Sequence, residues 1–454
     1  MLGKTFGFLV KTAGAGLLGL SLMGAAAGTD EPAAAPAPQE EPAAGNRLVC
    51  PRETVKLPMN ARASLDALFQ YEPYLYYELA NPKLARVTSQ GIAVPLAKGT
   101  TQVEVTASGY ERASASCSFR LQIVDPVKFK PSSAPKTESG QTKANGRKTY
   151  VNTIVLPQGM PAGLGLGKDA LGNAEAMKAI ATRRQASYAI NGTYFAAYND
   201  EVPLPYGTLV KDGELLFNTG SVGTMIGFAA DGSARLDDVS PSVAGGFDGL
   251  YDSGHRWTAS YVNRRAGSGT TIYTPDYGAR IGTDKGVMII VRGGKVVKVV
   301  KGENVQIPRD GFVIVNQRES LAELKETFKV GRKAHYRVTY SNAKGRLAEW
   351  NDVVTAVQAW PKLIEGGKIV EKDGADAKRA ARSGIGITKD GRVVLVTTGS
   401  ATHGEVAELL RAKGAVEAMS LDGGASAGIY SQGVQLFTPG RNLSNVLLFG
   451  PNLR

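Results

Sequence analysis

The sequence predicts an α+β protein in which a mixed β-sheet domain with a few packed helices follows a small all-β domain. Short runs of alternating apolar and polar residues fill most of the chain, and Gly, Asn or Asp-Gly turn residues separate them, which is typical of strands. Apolar residues recur at helical spacing in only a few segments. The length of 454 residues exceeds one ordinary domain and suits two or three.

Residues 1–28 are predicted to be an export signal. Lys4 and Lys11 precede or flank the apolar run AGAGLLGLSLMGAAAG, which ends in small residues of the kind that signal peptidase cleaves after. The apolar part is shorter than the ~20 residues that a membrane span needs. We therefore expect a mature chain without a membrane span that is secreted, periplasmic or at the cell surface. An uncleaved N-terminal anchor is the alternative.

Two segments of different composition follow the signal. Residues 29–46 are rich in Pro, Ala and Glu and cannot bury apolar surface, so they are expected to form an extended tether. Residues 47–126 contain the alternating runs TQVEVTAS and CSFRLQIV, which predict a small β-sandwich. The stretch NPKLARVTSQGIAVPLAKGTTQVEVTASG resembles the bacterial immunoglobulin-like modules of exported proteins. That resemblance implies a spacer, or alternatively an adhesion unit.

The two cysteines, Cys50 and Cys117, lie close to the two ends of the predicted β-sandwich. A disulfide between them would tie the first strand to the last and would stabilise the fold by about 4 kcal/mol in the loop-entropy model. There is no CxxC motif, and the histidines His255, His335 and His403 are not spaced as metal ligands. We therefore expect neither a metal site nor a cofactor.

The formal net charge is +12, and part of the excess lies in residues 127–149, which are predicted to be a basic linker. Such segments are usually solvated; contact with an anionic cell-wall polymer is the alternative. No basic helix, RNA-binding aromatic signature or zinc-finger spacing is present in the sequence, so nucleic acid is not an expected partner.

Residues 150–454 are predicted to mix strands with a few helices. NAEAMKAIATRRQ and GEVAELLRAKG carry apolar residues at helical spacing and predict two helices. Turns of Asp-Gly or Gly-Gly in LVKDGELLF, GITKDGRVVLVTT and KGVMIIVRGGKVVKVV predict hairpins. Residues 392–421 are predicted to form strand, loop, helix and strand. If the two strands are parallel, both end on one side, where ligands collect.

The stretch MSLDGGASAGIY places Asp422 at the end of the second of these strands. Gly423 and Gly424 can take positive φ and let backbone N–H groups approach the oxygens of a ligand, and Ser426 adds a hydroxyl donor. The motif fits a carboxylate that faces a substrate. It fits equally an Asp that caps its own loop, which is common in Asp-Gly-Gly turns.

Three other segments favour a functional site. INGTYF ends a predicted strand with polar residues and then adds two aromatic rings. Arg382 opens the strand predicted in RSGIGIT, and Arg441 opens the last strand. Two arginines beside glycine-rich turns fit a planar fork for phosphate or carboxylate. The residues of interest in INGTYF are Asn191, Gly192, Tyr194 and Phe195.

The order INGTYF, PYGTLVKDGEL, WPKLIEGGKI, ARSGIGITKDGRVVLVTT, GEVAELLRAKGAVEAMSLDGGAS and RNLSNVLLF resembles the phosphodiester glycosidase family over about residues 150–454. The family cleaves a sugar from a phosphodiester and leaves a phosphomonoester. Its bacterial members are linked to exopolysaccharide or cell-envelope polymers. The resemblance therefore implies a hydrolase whose partner is a carbohydrate phosphodiester, with an N-acetylglucosamine-like sugar.

The resemblance also implies roles for the residues at matching positions. Asp422 is expected to act at the anomeric carbon, as nucleophile or as base for water. Arg382 and Arg441, with the N–H groups of residues 423–426, are expected to hold the phosphate. Glu408, in the middle of a predicted helix, is the further catalytic candidate, with a structural hydrogen bond or ion pair as the preferred interpretation.

Substrate binding is expected from Asn191, through sugar hydroxyls or an N-acetyl group, and from a stacking wall of Tyr194 or Phe195. The implied substrate-binding set is Asn191, Gly192, Tyr194, Phe195, Gly423, Gly424, Ser426 and Arg441. Glu201 or Asp212 could supply a second carboxylate, although Asp212 precedes a glycine and is expected in a turn.

His403 lies in the loop before the second predicted helix and is expected to be exposed to solvent, with a proton shuttle as the alternative.

The sequence also departs from the family at two places. Ala425 stands where a third glycine is usual and would be strained at a positive φ, and residues 358–360 replace the glycines usual before Pro361.

Two other function classes remain possible at this stage. The Ala425 departure favours a non-catalytic protein that binds cell-envelope glycan. A glycoside hydrolase acting on neutral polysaccharide would need a second catalytic carboxylate at the site. It would be favoured by the absence of an arginine within reach of Asp422.

Overall fold

The computed structural model describes residues 48–453, apart from 70–73, 109–113, 145, 199–201, 266, 268, 372 and 374–376. The predicted export signal and tether lie outside the described residues. Strands dominate the described part of the chain, which contains three α-helices, α1 (Met177–Arg183), α2 (Leu321–Thr327) and α3 (His403–Ala412). The predicted α+β class with a large share of strands is confirmed. No helix in these ranges has the length and apolar character needed to cross a membrane.

The N-terminal module, residues 48–124, is built from two small sheets. Its strands are β1 (Val55–Pro58), β2 (Ala63–Ser64), β3 (Tyr74–Leu79), β4 (Ala85–Val87), β5 (Ile92–Pro95), β6 (Gly99–Ser108) and β7 (Ala115–Val124). The strand orders are β1-β7-β6-β3 and β2-β5-β4. Both sheets contribute to one apolar core, which includes the fully buried Leu65, Val105 and Leu121. The module consists of strands as expected, and its immunoglobulin-like assignment stays a prediction.

The disulfide expected between Cys50 and Cys117 is present. Cys50 precedes β1, and Cys117 lies in β7, which pairs with β1 in parallel. The bond joins residues 67 positions apart and therefore ties the start of the module to its last strand.

The remaining strands run through residues 136–449. The first eight are β8 (Lys136–Ala144), β9 (Arg147–Leu156), β10 (Ala162–Leu166), β11 (Tyr188–Asn191), β12 (Leu209–Lys211), β13 (Glu214–Phe217), β14 (Gly223–Ala229) and β15 (Ala234–Phe247). The next nine are β16 (Arg256–Ala259), β17 (Tyr261–Val262), β18 (Thr270–Tyr273), β19 (Val287–Arg292), β20 (Lys295–Lys301), β21 (Gly311–Asn316), β22 (Ala334–Asn342), β23 (Gly345–Arg346) and β24 (Val353–Gln358). The last eight are β25 (Lys362–Glu365), β26 (Lys368–Ile369), β27 (Ala380–Thr388), β28 (Val393–Ala401), β29 (Ala415–Ser420), β30 (Ile429–Ser431), β31 (Val434–Phe437) and β32 (Asn445–Phe449).

These strands form four sheets. A seven-stranded sheet has the order β26-β25-β29-β27-β28-β9-β8, and an eight-stranded sheet has the order β13-β12-β24-β14-β15-β22-β23 with β16 beside β15. The C-terminal sheet has the order β10-β32-β11-β30-β31, and the insert sheet has the order β17-β18-β21-β19-β20. The seven-stranded, eight-stranded and C-terminal sheets meet in the largest core, which includes Leu395, Phe228 and Phe449.

The other faces of these sheets are also covered. Helix α3 packs on the seven-stranded sheet through Val406 and Leu410. Helix α1 packs on the C-terminal sheet through Met177 and Ile180. The eight-stranded sheet shares its second core with the insert sheet. The two helices predicted from apolar spacing are therefore confirmed, because their apolar stripes are the surfaces that are buried.

The prediction that residues 127–149 form a basic linker is wrong for part of this range. Residues 136–144 form strand β8, which pairs with β9 along its whole length at the edge of the seven-stranded sheet. Most of the side chains of β8 are exposed, so the strand lacks the apolar alternation from which strands are predicted. Lys136 and Lys143 instead place charges on an edge strand, which discourages pairing with another chain.

The unit from β28 through α3 to β29 has the predicted arrangement. Both strands pair with β27 in antiparallel register, so they are parallel to each other with β27 between them. The carboxyl ends of both strands therefore lie on the same side of the seven-stranded sheet. Arg382 lies on this side, opposite Thr398, and Asp422 follows β29 directly.

The N-terminal module is held against the eight-stranded sheet by buried polar contacts. The Arg337 guanidinium of β22 pairs with the Asp66 carboxylate, and Arg337 is 4% exposed. Glu214 of β13 accepts a hydrogen bond of 2.7 Å from the Ser89 hydroxyl. Gln90 donates from its side chain to the Val353 carbonyl oxygen at 3.0 Å. The expected spacer is thus packed onto the main domain.

We expect Asp66→Ala to lower the free energy of unfolding by about 3–5 kcal/mol, because it leaves the buried Arg337 charge without a partner. Glu78→Ala is the control at the same junction, since Glu78 pairs with Lys333 at 3.0 Å while both side chains are at least 40% exposed. Its cost should stay within about 1 kcal/mol. Urea unfolding measures both, and equal costs would contradict this account of the junction.

Candidate functional site

Asn191 and Gly192 fix the backbone of Asp422. The Asp422 N–H donates to the Gly192 carbonyl oxygen at 3.1 Å, and the Asn191 side-chain NH₂ donates to the Asp422 carbonyl oxygen at 2.7 Å. The side-chain oxygen of Asn191 accepts from the Gly428 N–H at 3.0 Å. Asn191 is 1% exposed. The expected contact of Asn191 with a sugar is therefore corrected: its side chain is a buried brace, and both of its polar atoms have partners inside the protein.

Gly192 is a glycine because another side chain approaches it closely. A Cβ atom at this position would lie 1.9 Å from the side-chain oxygen of Asn445. Asn445, at the start of β32, accepts from the Thr193 N–H at 2.8 Å, and its backbone carbonyl accepts from the Gly192 N–H at 3.1 Å. Sequence reasoning missed Asn445, although a buried polar residue that opens an apolar strand is a signal that could have found it.

The Asp422 carboxylate is half-buried and is held by its own loop. One carboxylate oxygen accepts from the Gly423 N–H at 2.8 Å, so the loop-capping alternative describes part of what Asp422 does. Burial raises the pKa of Asp422 above its ordinary value, while the hydroxyl of Ser426, the Gly423 N–H and the charge of Arg441 oppose that rise. The carboxylate is thus kept basic and accessible beside a cation.

The loop after Asp422 adopts its turn without strain at Ala425. Gly424 has a φ of +59°, in the left-handed region that favours glycine. Ala425 lies outside that region, within the short 3-10 turn Gly424–Ser426, and its carbonyl oxygen accepts from the Gly440 N–H at 2.8 Å. The strain expected at Ala425 does not occur, because the positive φ falls on Gly424.

Arg382 lies against this loop. A Cβ atom at Gly423 would lie 3.3 Å from an Arg382 guanidinium nitrogen, so a larger residue would press on the arginine. Another guanidinium nitrogen donates to the Lys378 carbonyl oxygen at 3.0 Å. The Arg382 charge lowers the pKa of His403 and opposes the rise in the pKa of Tyr194.

Arg441 approaches from the loop before β32. Its guanidinium donates to the Tyr198 hydroxyl at 2.9 Å and lies 4.6 Å from the centre of the Tyr198 ring. In the part of the chain that the structure describes, neither Arg441 nor Arg382 makes an ion pair with a carboxylate. The Arg441 charge acts on Asp422 from beyond ion-pair distance. Both guanidinium groups can therefore still bind an anionic ligand.

Tyr194 is the aromatic wall of the site. Its ring stacks on Trp360 at 4.5 Å between ring centres with 25° between their planes. Burial and the nearby charge of Asp422 raise the pKa of the Tyr194 hydroxyl to about 12. The expectation that Phe195 could stack on the substrate is corrected. Phe195 is 7% exposed and packs with Met177 in the core under α1. The alternation of residues along the chain turns Phe195 away from the site.

Helix α3 carries its buried carboxylate at Glu405. Glu405 is 3% exposed, pairs with Arg379 and forms a capping box with Thr402. Sequence reasoning missed Glu405, although Thr-x-x-Glu before an apolar helix is the capping-box signature. Glu408 lies half-buried one turn further along α3, and its catalytic role stays a prediction.

His403 is the first residue of α3 and is half-buried, which corrects its expected place in an exposed loop. Burial lowers its pKa, and the Arg382 charge lowers it further.

Asp212 lies in the turn between β12 and β13, as expected, and pairs with Arg62 at 3.4 Å. Glu201 lies outside the described residues. Within the described ranges no group of three or more His, Cys, Asp or Glu residues could hold a metal ion.

Comparison with known proteins links part of this chain to one family. Residues 285–450 match the profile of the phosphodiester glycosidase family, and this segment contains Arg382, Asp422 and Arg441. The resemblance to that family is therefore confirmed for residues 285–450. No curated protein matches the chain.

Three solved structures are similar to this chain at low sequence identity, and the first two of them share its fold. A hypothetical protein from Synechocystis is 21% identical, with 85% of this chain and 82% of that chain covered and a TM-score of 0.58. A candidate exported protein from Burkholderia pseudomallei K96243 is 15% identical, with 83% and 97% covered and a TM-score of 0.53. The catalytic domain of zebrafish N-acetylglucosamine-1-phosphodiester alpha-N-acetylglucosaminidase, auto-inhibited by its pro-peptide, is 13% identical, with 78% and 89% covered and a TM-score of 0.39.

We expect Asn191→Ala to destabilise the protein even in the absence of any substrate. The change leaves the Asp422 carbonyl oxygen and the Gly428 N–H without partners in a buried place, at about 1–3 kcal/mol for each group. Asn452→Ala, at an exposed asparagine whose side chain makes no hydrogen bond to the described residues, should stay within about 0.5 kcal/mol of the wild type. Thermal and urea unfolding measure both variants. Wild-type stability of Asn191→Ala would show that the brace contributes nothing and would return Asn191 to the substrate-binding residues.

Proposed function

We propose that this protein hydrolyses the bond between a sugar and the phosphate of a phosphodiester in exopolysaccharide or cell-envelope glycan. The sugar is N-acetylglucosamine-like, as the family resemblance implies. The observation that carries the proposal is the half-buried carboxylate of Asp422 near two arginines that form no ion pair with a carboxylate of the described residues. The family match of residues 285–450 supports the same activity.

The chemistry requires an attacking group at the anomeric carbon and a stabilised leaving phosphate. The bond between the anomeric carbon and the phosphate oxygen breaks, its electron pair stays on the phosphate, and water supplies the new hydroxyl of the sugar. Asp422 acts as nucleophile or as base for that water. Arg382 and Arg441 stabilise the charge that grows on the phosphate. A phosphate monoester needs less protonation than a sugar alkoxide, so one carboxylate and two cations suffice.

A hydrolase of neutral polysaccharide is less well supported. Such an enzyme needs a second carboxylate near the first, whereas the charged side chains of the described residues at the Asp422 loop are Arg382 and Arg441. A purely binding role is also less well supported, because Ala425 fits the loop without strain. The two arginines favour phosphate as part of the substrate.

We also propose that the protein is secreted, periplasmic or displayed at the cell surface. The apolar N-terminal run after basic residues supports export. The Cys50–Cys117 disulfide supports an oxidising compartment. Both observations agree with a substrate in the cell envelope or outside it.

The test is hydrolysis of a simple N-acetylglucosamine-1-phosphodiester and of UDP-N-acetylglucosamine by purified residues 46–454. We expect free sugar from the wild type, and losses of about 10²–10⁴-fold in kcat for Asp422→Asn and about 10²–10³-fold for Arg382→Ala. Asp390→Asn and Arg392→Ala are matched controls, because this pair lies in an exposed turn of the same sheet. Equal kcat values in Asp422→Asn and Asp390→Asn would contradict the proposed role of Asp422.

The pH profile gives an independent test. Because the carboxylate form of Asp422 is the active one, kcat/KM should fall as pH drops through a pKa above the usual 3.8. Ser426 and Arg441 both lower the pKa of Asp422, so Ser426→Ala and Arg441→Ala should move this acid limb to higher pH. An acid limb that stays in place in both variants would assign it to another group.

A further inference from the structure

Several exposed aromatic residues are linked to the Asp422 site by direct contacts. Four aromatic residues in the described part of the chain are large and exposed: Tyr150 at 49%, Tyr198 at 68%, Tyr206 at 53% and Trp360 at 46%. Aromatic rings are usually buried when a core is available, and a group of exposed rings in one region marks a binding surface. Tyr198, Tyr206 and Trp360 are each linked to the Asp422 site by the contacts below.

Trp360 and Tyr206 are linked to Asp422 through Tyr194. Trp360 stacks on Tyr194, whose hydroxyl lies close enough to Asp422 for the carboxylate charge to raise its pKa. The Tyr206 N–H donates to the Tyr194 carbonyl oxygen at 2.8 Å. The Ser420 N–H donates to the Pro361 carbonyl oxygen at 2.9 Å, which holds the Trp360 segment against the end of β29. These contacts place Trp360 beside the strand that Asp422 follows.

Tyr198 is linked to Asp422 by a different route. Its hydroxyl and ring both contact the Arg441 guanidinium, and the Arg441 charge acts on Asp422. The contact orients the Tyr198 ring, while 68% of the residue remains exposed. Rings fixed by neighbours lose little entropy when a ligand covers them.

We propose that Trp360, Tyr194, Tyr198 and Tyr206, here called the aromatic rim, bind several sugar units of one glycan chain, so that the substrate is a phosphodiester within an oligosaccharide or polysaccharide. This proposal rests on the proposed function. The C–H face of a sugar ring covers an aromatic ring and leaves its hydroxyls at the edge for water or polar groups. Several separate exposed faces therefore suit a ligand with repeated units.

A small nucleotide sugar fits this surface less well. It has one sugar and one base to stack, and one face of Trp360 is already covered by Tyr194. The cleavage itself needs only Asp422 and the two arginines. Tyr198 and Tyr206 would then have no partner in a small substrate, whereas a chain that continues beyond the cleaved bond can cover them.

The first test measures KM for synthetic N-acetylglucosamine oligomers joined through 1-phosphodiesters, with one, two and four sugars, beside UDP-N-acetylglucosamine. We expect KM to fall by about tenfold or more with length, since each added sugar can cover a further exposed ring. Trp360→Ala and Tyr198→Ala should each reduce the advantage of the four-sugar oligomer by about two- to fivefold, and the double variant should reduce it further. Tyr261→Ala is the size-matched control and should keep the advantage, because Tyr261 lies on β17 of the insert sheet. Its ring contacts the Arg264 guanidinium at 4.3 Å, as the Tyr198 ring contacts Arg441.

The second test does not depend on hydrolysis. The chain has three tryptophans, and Trp257 and Trp350 are 8% and 0% exposed, so acrylamide quenching of fluorescence reports mainly on Trp360. In Asp422→Asn, which should not consume the ligand, the four-sugar oligomer should protect the tryptophan signal. UDP-N-acetylglucosamine at the same concentration should protect it less. Trp360→Phe in the same background should remove the protected signal.

The two tests separate the rim from the activity. Hydrolysis with equal KM at all lengths, or equal protection by UDP-N-acetylglucosamine and the four-sugar oligomer, would overturn the rim and leave the proposed activity standing. Protection by the four-sugar oligomer without hydrolysis of any diester would support the rim and count against the activity. Absence of both length dependence and protection would reject the rim outright.

Discussion

The site depends on the hydrogen-bonded junction between Asp422 and the pair Asn191 and Gly192. Asp422 follows a strand of the seven-stranded sheet, whereas Asn191 ends a strand of the C-terminal sheet. Both backbone groups of Asp422 are bonded across this junction. Buried polar groups must keep such partners, so the junction fixes the carboxylate relative to Arg382 on the first sheet and Arg441 before the last strand of the second.

The electrostatics of the site combine two opposing effects. Burial raises the pKa of Asp422, while Arg441 and the donors of its own loop favour the charged form. Neither Arg382 nor Arg441 forms an ion pair with a carboxylate of the described residues. A ligand that brings negative charge next to the arginines would complete the balance, and the neighbouring aromatic rings offer surface for the sugar attached to it.

Several sequence-based assignments were right about position and wrong about role. Asn191 and Phe195 lie next to the site in sequence, yet one is a brace and the other is in the core. A polar residue at the end of a strand has the same sequence signature whether its side chain faces a ligand or a backbone amide. Strand β8 was assigned to a linker because an edge strand needs no apolar face, and its pairing comes from backbone groups that carry no residue identity.

The sequence by itself determined the local structure: the helices with apolar stripes, the Asp-Gly and Gly-Gly hairpins, the disulfide and the approximate place of Asp422, Arg382 and Arg441. The helices, the hairpins and the site positions follow from residue types within a few positions of one another, and the disulfide follows because the chain has two cysteines. Only the tertiary structure decided which groups meet, as in Asn191 with Asp422, Asn445 with Gly192 and Trp360 with Tyr194. Such partners lie up to 253 positions apart and are selected by packing between sheets, which the local pattern of residues does not encode.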